Sequence, residues 1–531
     1  MGIYINKGNV AFRTIRNGEY VDKSGLIGVV NRTLCTELMF SCVTRCRRFG
    51  KSMAAKMLTA YYDQSCDSRT LFANLEIVSD PTFEHHLNKY PVISIDLSDF
   101  VTRFKNDRIV TLMDAELRKE ISAAYPDVPN EADDDLMALL IRINAATQQQ
   151  FVFIIDEWDA ILREFPLSAD DALRKAAPLV VNNYVDWLRR MFKGGSSAEV
   201  FAGAYLTGIL PIKKYKTESA MNNFREYSMV EPGGMARFFG FTKDEVRTLA
   251  GKYDMDFDEL EKWYDGYQIG DEVSMFNPNS VMEAVRRQRC RSFWTSTGAF
   301  ASVANYINLD YDGLKDNVIN LLGGGRVKVN PTRFQNDMSV IQNRDDVLTV
   351  LIHLGYLSFD WRRSECYVPN YEVSGELSNA VEDSKWANVM EALQQSDQLL
   401  LATLDGDEET VARMVDAAHS ENTSILSYYN ENSMACVLSI AYYSAHDDYV
   451  FHREMDSGKG FADLVLLPRK NVDKPAIVLE LKNDKNVVAA IDQIKQKNYP
   501  EKVAQYTDRL LLVGINYDKK TKRHECRIEK M

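Results

Sequence analysis

Apolar residues in this chain gather in short unbroken runs, separated by longer stretches where they recur every third or fourth position. The runs around Met39-Phe40 with Cys42-Val43, Pro91 to Leu97, Phe151 to Ile155 and Val200 to Leu206 predict strands. Five successive apolar residues at Phe151-Val152-Phe153-Ile154-Ile155 predict burial on both faces, as in a parallel sheet covered by helices. Helical spacing lies between these runs, over Met53–Tyr62, Ile109–Ala124 and Asp133–Ala146. Alternating strand and helix of this kind predicts an α/β N-terminal region, taken as residues 1–230. Residues 231–377 follow as a helical domain, with helices over Thr242–Tyr253, Asp256–Asp265 and Asn279–Arg287. A helix and short strand within Val347–Asp360 suggest a lid or winged-helix-like module. The triplet Gly323-Gly324-Gly325 marks a turn. Residues 378–430 look like an acidic helical connector, and residues 431–531 show the order αβββαβ.

Chemistry enters first at Arg45-Cys46-Arg47-Arg48-Phe49-Gly50-Lys51-Ser52, between the first strand and its helix. Strand, tight loop ending Gly-Lys-Ser, then helix is the layout of a phosphate-binding P-loop. Gly50 lets backbone approach a phosphate, and the helix start offers free N–H groups. Lys51 would reach the terminal phosphates of ATP, and Ser52 would ligate Mg2+. The usual first glycine of the motif is replaced by Arg45, and the Gly-Lys-Ser triplet alone is common by chance.

The acids Asp156 and Glu157 end the Phe151 strand, where open α/β sheets place their ligands. Asp156 would hold the Mg2+ shell, and Glu157 would polarise an attacking water. An acidic helix N-cap is the plain alternative, weakened by the P-loop upstream. Thr207, at the end of the next strand, would sense the terminal phosphate or simply form a turn. The aromatic cluster Trp263-Tyr264-Asp265-Gly266-Tyr267 predicts packing rather than chemistry.

Near the C-terminus, Asp463 enters one strand and Glu480-x-Lys482 ends the next. Residues two apart on a strand share a face, so Glu480 and Lys482 can share a site that Asp463 joins from its neighbour. Two carboxylates hold a hard divalent cation through oxygen, which activates water while the lysine offsets developing charge. The plain alternative is a solvated strand end, although the flanking residues here are apolar.

The balance of acids and bases adds a contrast. The whole chain carries a net charge of −13, against wholesale coating of nucleic acid, yet residues 453–531 hold 17 Lys and Arg against 12 Asp and Glu. That local excess fits a phosphate-rich partner. At 531 residues the length suggests about three domains. No apolar run reaches the roughly 18–20 residues that span a bilayer, and no signal-peptide core opens the chain. Eight sparse cysteines lack a zinc spacing. A cytoplasmic protein with no membrane association is expected.

Taken together these segments resemble a bacterial arrangement: an AAA-ATPase-like region joined to a PD-(D/E)XK nuclease-superfamily domain. The resemblance rests on Tyr20-Val21-Asp22-Lys23-Ser24, the Arg47 to Ser52 loop, Ile155-Asp156-Glu157, Leu206-Thr207-Gly208-Ile209 and the Trp263 cluster. At the far end it rests on Gly460 with Asp463, Glu480-Leu481-Lys482, and Gln493 with Tyr499. It implies an N-terminal P-loop NTPase with a parallel sheet and a restriction-endonuclease-like C-terminal domain. It places Tyr20, Asp22, Lys23, Arg45, Arg47, Arg48, Phe49, Gly50, Lys51, Ser52, Asp156 and Thr207 at the nucleotide. Glu157, Asp463, Glu480 and Lys482 would be catalytic, with Glu454 or Glu431 as an extra acid. Metal ligands would be Ser52 and Asp156 at one site, Asp463 and Glu480 at the other, where Mn2+ is an alternative to Mg2+. Arginine replaces the first P-loop glycine in this family too. Cys46 stands where proline is usual and Phe461 where arginine is usual, which leaves one phosphate-facing cation unaccounted for.

The implied function is an ATP-regulated, metal-dependent nuclease acting on DNA rather than RNA, in defence or mobile-element biology. The alternative is an ATP-dependent binding or signalling switch whose nuclease fold no longer cuts; a weaker one is an NTPase that binds without turnover. Assembly into a homo-oligomer is open, with Arg225 or Arg237 as the arginine that would complete a neighbour's site.

Overall fold

The computed structural model describes residues 2–131, 134–166, 168–212, 221–294, 313–334, 341–382, 387–422, 438, 441, 442, 444, 445, 448–456, 461–469, 472–483, 487–496, 506, 509–518 and 520–531. At Glu454, Phe461, Asp463 and Gln493, among others, only the backbone is described. Two compact units divide the chain: Met1–Ala299 with Lys328–Val373, and Phe300–Val327 with Ser374–Met531.

The first unit is built on strands β1 (Phe40–Thr44), β2 (Val92–Asp96), β3 (Phe151–Asp156), β4 (Phe201–Gly208) and β5 (Arg225–Tyr227), in the order β2-β3-β4-β1-β5. Every pairing is parallel. All residues of β1, β3 and β4 are buried, which is why apolar residues run on in their sequences rather than alternating with polar ones. Two apolar layers cover the sheet, one containing Phe153, Trp187 and Phe192, the other Leu58, Tyr61 and Ile154. The register sets the functional ends level: Thr44 pairs with Gly208, and Asp96 with Asp156. Helix α1 (Lys51–Tyr62) leaves the β1 loop, α2 (Ala160–Glu164) follows β3, and α3 (Asp171–Phe192) returns towards β4.

Beyond β5, strands β6 (Phe241–Thr242), β7 (Tyr267–Ile269) and β8 (Glu272–Phe276) form a small antiparallel sheet. The helices Lys243–Tyr253 and Phe257–Tyr264 and helix α4 (Pro278–Arg287) pack with it. The helices match the sequence expectation, whereas the β7–β8 hairpin turns where a helical region was expected. Thr242 supplies a capping box with Glu245, which fixes where the first of these helices begins. Three short strands follow, β9 (Val327–Lys328), β10 (Ser358–Asp360) and β11 (Glu365–Tyr367), of which the last two pair antiparallel after helix α5 (Arg344–Leu354).

The second unit holds a mixed sheet of β12 (Tyr449–Asp456), β13 (Phe461–Pro468), β14 (Ala476–Asn483), β15 (Leu510–Asp518) and β16 (Arg523–Lys530), in that order. Only β14 and β15 run parallel; α6 (Ala387–Asp405) and α7 (Glu408–Asn422) precede the sheet, and α8 (Val487–Gln496) links the parallel pair. One face packs Val465, Val478 and Leu512 with Ile491 and Ile494 of α8. The other packs Leu464, Leu479 and Val513 with Leu399 and Val411. Strand β16 is an addition to the expected αβββαβ order, and most of the expected Glu431–Tyr443 helix lies outside the described residues. No described helix is long and apolar enough to cross a membrane.

Candidate functional site

The sheet order explains how distant segments meet. Strand β4 lies between β1 and β3, so its C-terminal end can hold the loops that follow both neighbours. The Gly208 carbonyl accepts from the Arg45 N–H at 3.0 Å, and the Thr207 carbonyl accepts from the Trp158 N–H at 2.7 Å. Gly50 then caps α1 with φ +92°, a left-handed conformation that glycine alone adopts without strain. From below, the Phe49 ring meets Tyr267 edge to face at 5.0 Å, and Tyr267 donates to the Gly355 carbonyl at 2.9 Å. The Trp263–Tyr267 cluster therefore packs, as expected, and its packing supports the loop.

A cavity of about 610 Å3 opens over this loop. Arg47, Arg48, Phe49, Gly50, Lys51 and Ser52 line one side, Glu157 joins them from β3, and Tyr20 and Lys23 line another side with Met57, Phe241 and Met282. The cavity thus has a charged end at the P-loop and an apolar end beside Tyr20. Buried Lys51 donates to the Cys46 carbonyl at 3.2 Å and lies 3.5 Å from Glu157 Oε1. Glu157 adopts φ +52°, unusual for a residue with a side chain, and so turns out of the strand direction. Burial pushes its carboxyl up, but Lys51, Arg163 and Arg47 together hold it below the ordinary glutamate range. Asp156 differs: burial raises it, opposed by the Ser52 and Thr207 hydroxyls. Burial also lowers Lys23, against the opposing pull of Glu245 at 2.7 Å.

Four of the residues expected at the nucleotide, Asp22, Arg45, Asp156 and Thr207, do not line the cavity themselves, although Asp156 shares a hydrogen bond with Ser52, which does. Asp156 and Thr207 are buried behind the cavity wall, with the Thr207 hydroxyl donating to Asp156. Asp22 accepts from the Ser24 and Glu76 N–H groups at 2.8 and 2.7 Å, which makes it a turn-former for the segment carrying Tyr20 and Lys23. Arg45, expected at the nucleotide, requires correction. Its fully buried guanidinium donates to the carbonyls of Thr44, Tyr227 and Ser228 at 2.8–2.9 Å and stacks over Phe239, tying the loop to β5. Burial pulls it down to about 10, still charged at neutral pH. Replacing it with Met strands those buried carbonyls. Arg45→Met should cost about 3 kcal/mol, read as an earlier first transition in thermal unfolding of the nucleotide-free chain; an unmoved transition contradicts this role.

In the second unit, Glu480 and Lys482 project from one face of β14 and are 1% and 7% exposed, with Nζ to Oε1 at 2.9 Å. They share the face on which Val478 packs under α8. The β13–β14 pairing runs as far as Leu464 opposite Leu479, the neighbours in sequence of Asp463 and Glu480. Arg453 and Met455 pair with Leu464 and Ala462, which brackets position 454 opposite 463. The side chains of Asp463 and Glu454 lie outside the described residues, as do Glu431, Gly460 and Tyr499 entirely. Among the described residues, no three metal-binding side chains cluster.

Residues 7–217 match the family described as a predicted AAA-ATPase, and residues 429–526 match the PD-(D/E)XK nuclease superfamily. The chain carries an AAA-ATPase-like domain and a PD-(D/E)XK nuclease-superfamily domain. Among solved structures it is similar to Cdc6p from Pyrobaculum aerophilum, at 9% identity over 72% of this chain and 97% of that one, with a TM-score of 0.23. It is also similar to the Aeropyrum pernix Orc1 protein in complex with DNA, at 10% identity over 72% of this chain and 98% of that one, with a TM-score of 0.24. No curated protein matches the chain.

The first unit also places residues at the cavity that the motifs did not indicate. Asp96 ends β2 level with Asp156 and lines the cavity with Ser98, from which it accepts at 2.6 Å. Its signal was available: an acid at the end of an apolar strand, as at Asp156. Asn279 and Arg286 arrive on α4, and Arg163 on α2; no local pattern marks any of the three. Of the arginines considered for a neighbour's site, Arg225 lies exposed on edge strand β5, and Arg237 pairs with Glu76 at 3.0 Å.

Proposed function

We propose that the AAA-ATPase-like domain binds and hydrolyses ATP, and that its nucleotide state governs metal-dependent cleavage of DNA by the nuclease-superfamily domain. One observation carries this reading: a chain whose P-loop cavity joins Lys51 to Glu157 also buries a Glu480–Lys482 pair on a strand of its C-terminal sheet. Buried charges are costly to keep, so a buried Lys51 facing Glu157 and a buried Glu480–Lys482 pair favour chemistry over accident.

At the first site, ATP would lie with its base at the end lined by Tyr20 and Lys23 and its phosphates over Gly50, Lys51 and Ser52, with Arg47 and Arg48 nearby. Glu157 would orient the attacking water. Hard oxygen donors suited to Mg2+ are present in Ser52 and in Asp156 behind it, held by Thr207, and such an ion would neutralise phosphate charge. At the second site, Asp463 and Glu480, with Glu454, would hold Mg2+ or Mn2+, which supplies an activated water. Lys482 would orient the nucleophile there. The local excess of basic residues over 453–531 favours a nucleic-acid substrate.

The test is cleavage of varied DNA and RNA substrates by the full chain, with Mg2+ or Mn2+ and with ATP, ADP or no nucleotide. Metal-dependent DNA cleavage that changes with nucleotide and disappears in Asp463→Ala is expected. Intact substrates in every state sink the nuclease reading. Nucleotide-dependent DNA binding without cleavage would instead establish a switch.

A further inference from the structure

Arg163 belongs to no motif and to none of the roles assigned above, yet it makes a short ionic contact beside the cavity. Its Nη2 lies 2.6 Å from Glu157 Oε2, while Lys51 approaches the other carboxylate oxygen at 3.5 Å. Its Nε donates at 2.9 Å to Asp159, a carboxylate with no exposed surface. The same Asp159 oxygen accepts from the Ile209 and Leu210 N–H groups at 3.1 and 2.8 Å. Arg163 is therefore gripped at one edge of its fork by a carboxylate anchored beyond the end of β4, and presents the other edge to Glu157. A planar fork held in this way transmits orientation, which a flexible ammonium cannot do as well. Glu157 sits at φ +52°, a strained conformation that persists only where its surroundings hold it, and Arg163 makes the shorter of its two ionic contacts.

We propose that Arg163, fixed by Asp159, is the positioning residue of Glu157: it sets the carboxylate beside Lys51 so that it can align the attacking water. Arg163 acts on hydrolysis through Glu157 and not through contact with the nucleotide. The proposal rests on the ATPase reading.

The experiment is a double-mutant cycle on the full chain, scored by kcat, KM and ATP affinity. Arg163→Met should lower kcat by about a hundredfold, the cost of misplacing a reacting group by about an ångström, with little change in KM. Arg163→Lys retains the charge without the fork; it should fold and recover part of the lost kcat, and it serves the test if the Met variant does not fold. In the Glu157→Gln background, neither Arg163 substitution should slow turnover further. Additive losses, or a loss of ATP affinity in place of kcat, overturn the positioning role while leaving the ATPase reading intact. A wild-type chain that turns over no ATP, or one indifferent to Lys51→Ala, overturns both.

Discussion

Lys51→Ala should abolish ATP binding in the accessible range and reduce ATP turnover by roughly two to three orders of magnitude, the scale set by losing a preorganised charge at a reacting phosphate. The argument is positional. Lys51 is the first residue of α1, buried under the loop, and its ammonium is directed between the Cys46 carbonyl and Glu157. A phosphate arriving over Gly50 would meet this cation together with the free N–H groups of the helix start. The fold should survive the substitution, because Arg163 still pairs with Glu157 at 2.6 Å and no unpaired charge is left buried. Glu157→Gln separates the steps: it should keep ATP bound and turn it over only at a low, still measurable, residual rate. Isothermal titration of both variants beside steady-state turnover checks this. Wild-type ATP affinity in Lys51→Ala would end the phosphate-binding reading of the loop.

What the sequence disclosed and what it concealed follow from the range over which each interaction acts. Strand β3 and the helix after Gly50 were legible because their determinants are local: an unbroken apolar run, and a glycine before a helical period. The sheet order was not, since the insertion of β4 between β1 and β3 depends on non-local pairings, Phe40 with Ala204 and Phe151 with Phe201. Arg45 was misplaced for the same reason. A motif presents every loop position as a candidate phosphate contact, and only the distant carbonyls of Tyr227 and Ser228 reveal which one turns inward. The β7–β8 hairpin had a usable signal in Gly270-Asp271, with Gly270 at φ +65°, masked by helical neighbours. In β16 the inward positions His524, Cys526 and Ile528 do alternate, but the strand carries too few apolar residues to stand out. The pairing of Glu480 with Lys482 was legible because two residues apart on a strand is a geometric statement needing no tertiary knowledge.

Lys482→Ala should eliminate DNA cleavage, by about two orders of magnitude or more, whatever nucleotide is present. It should also lower stability by about 3–5 kcal/mol, because Glu480 loses the ammonium that offsets its burial. Loss of activity alone would therefore be ambiguous between chemistry and unfolding. The double variant Glu480→Met/Lys482→Met resolves it. Replacing both charges by groups of similar size removes the buried ions together, and such exchanges are often neutral or stabilising. That protein should unfold no earlier than the wild type and yet cut nothing with Mg2+ or Mn2+. A stable double variant without cleavage means the pair is kept in an apolar face for its reactivity rather than for the fold. Cleavage by the double variant at the wild-type rate would reduce the pair to a structural ion pair and move the search for a nuclease site off β14. A wild type that never cuts, with a double variant more stable than its parent, would instead fit a nuclease fold that retains the charges of a site it no longer uses.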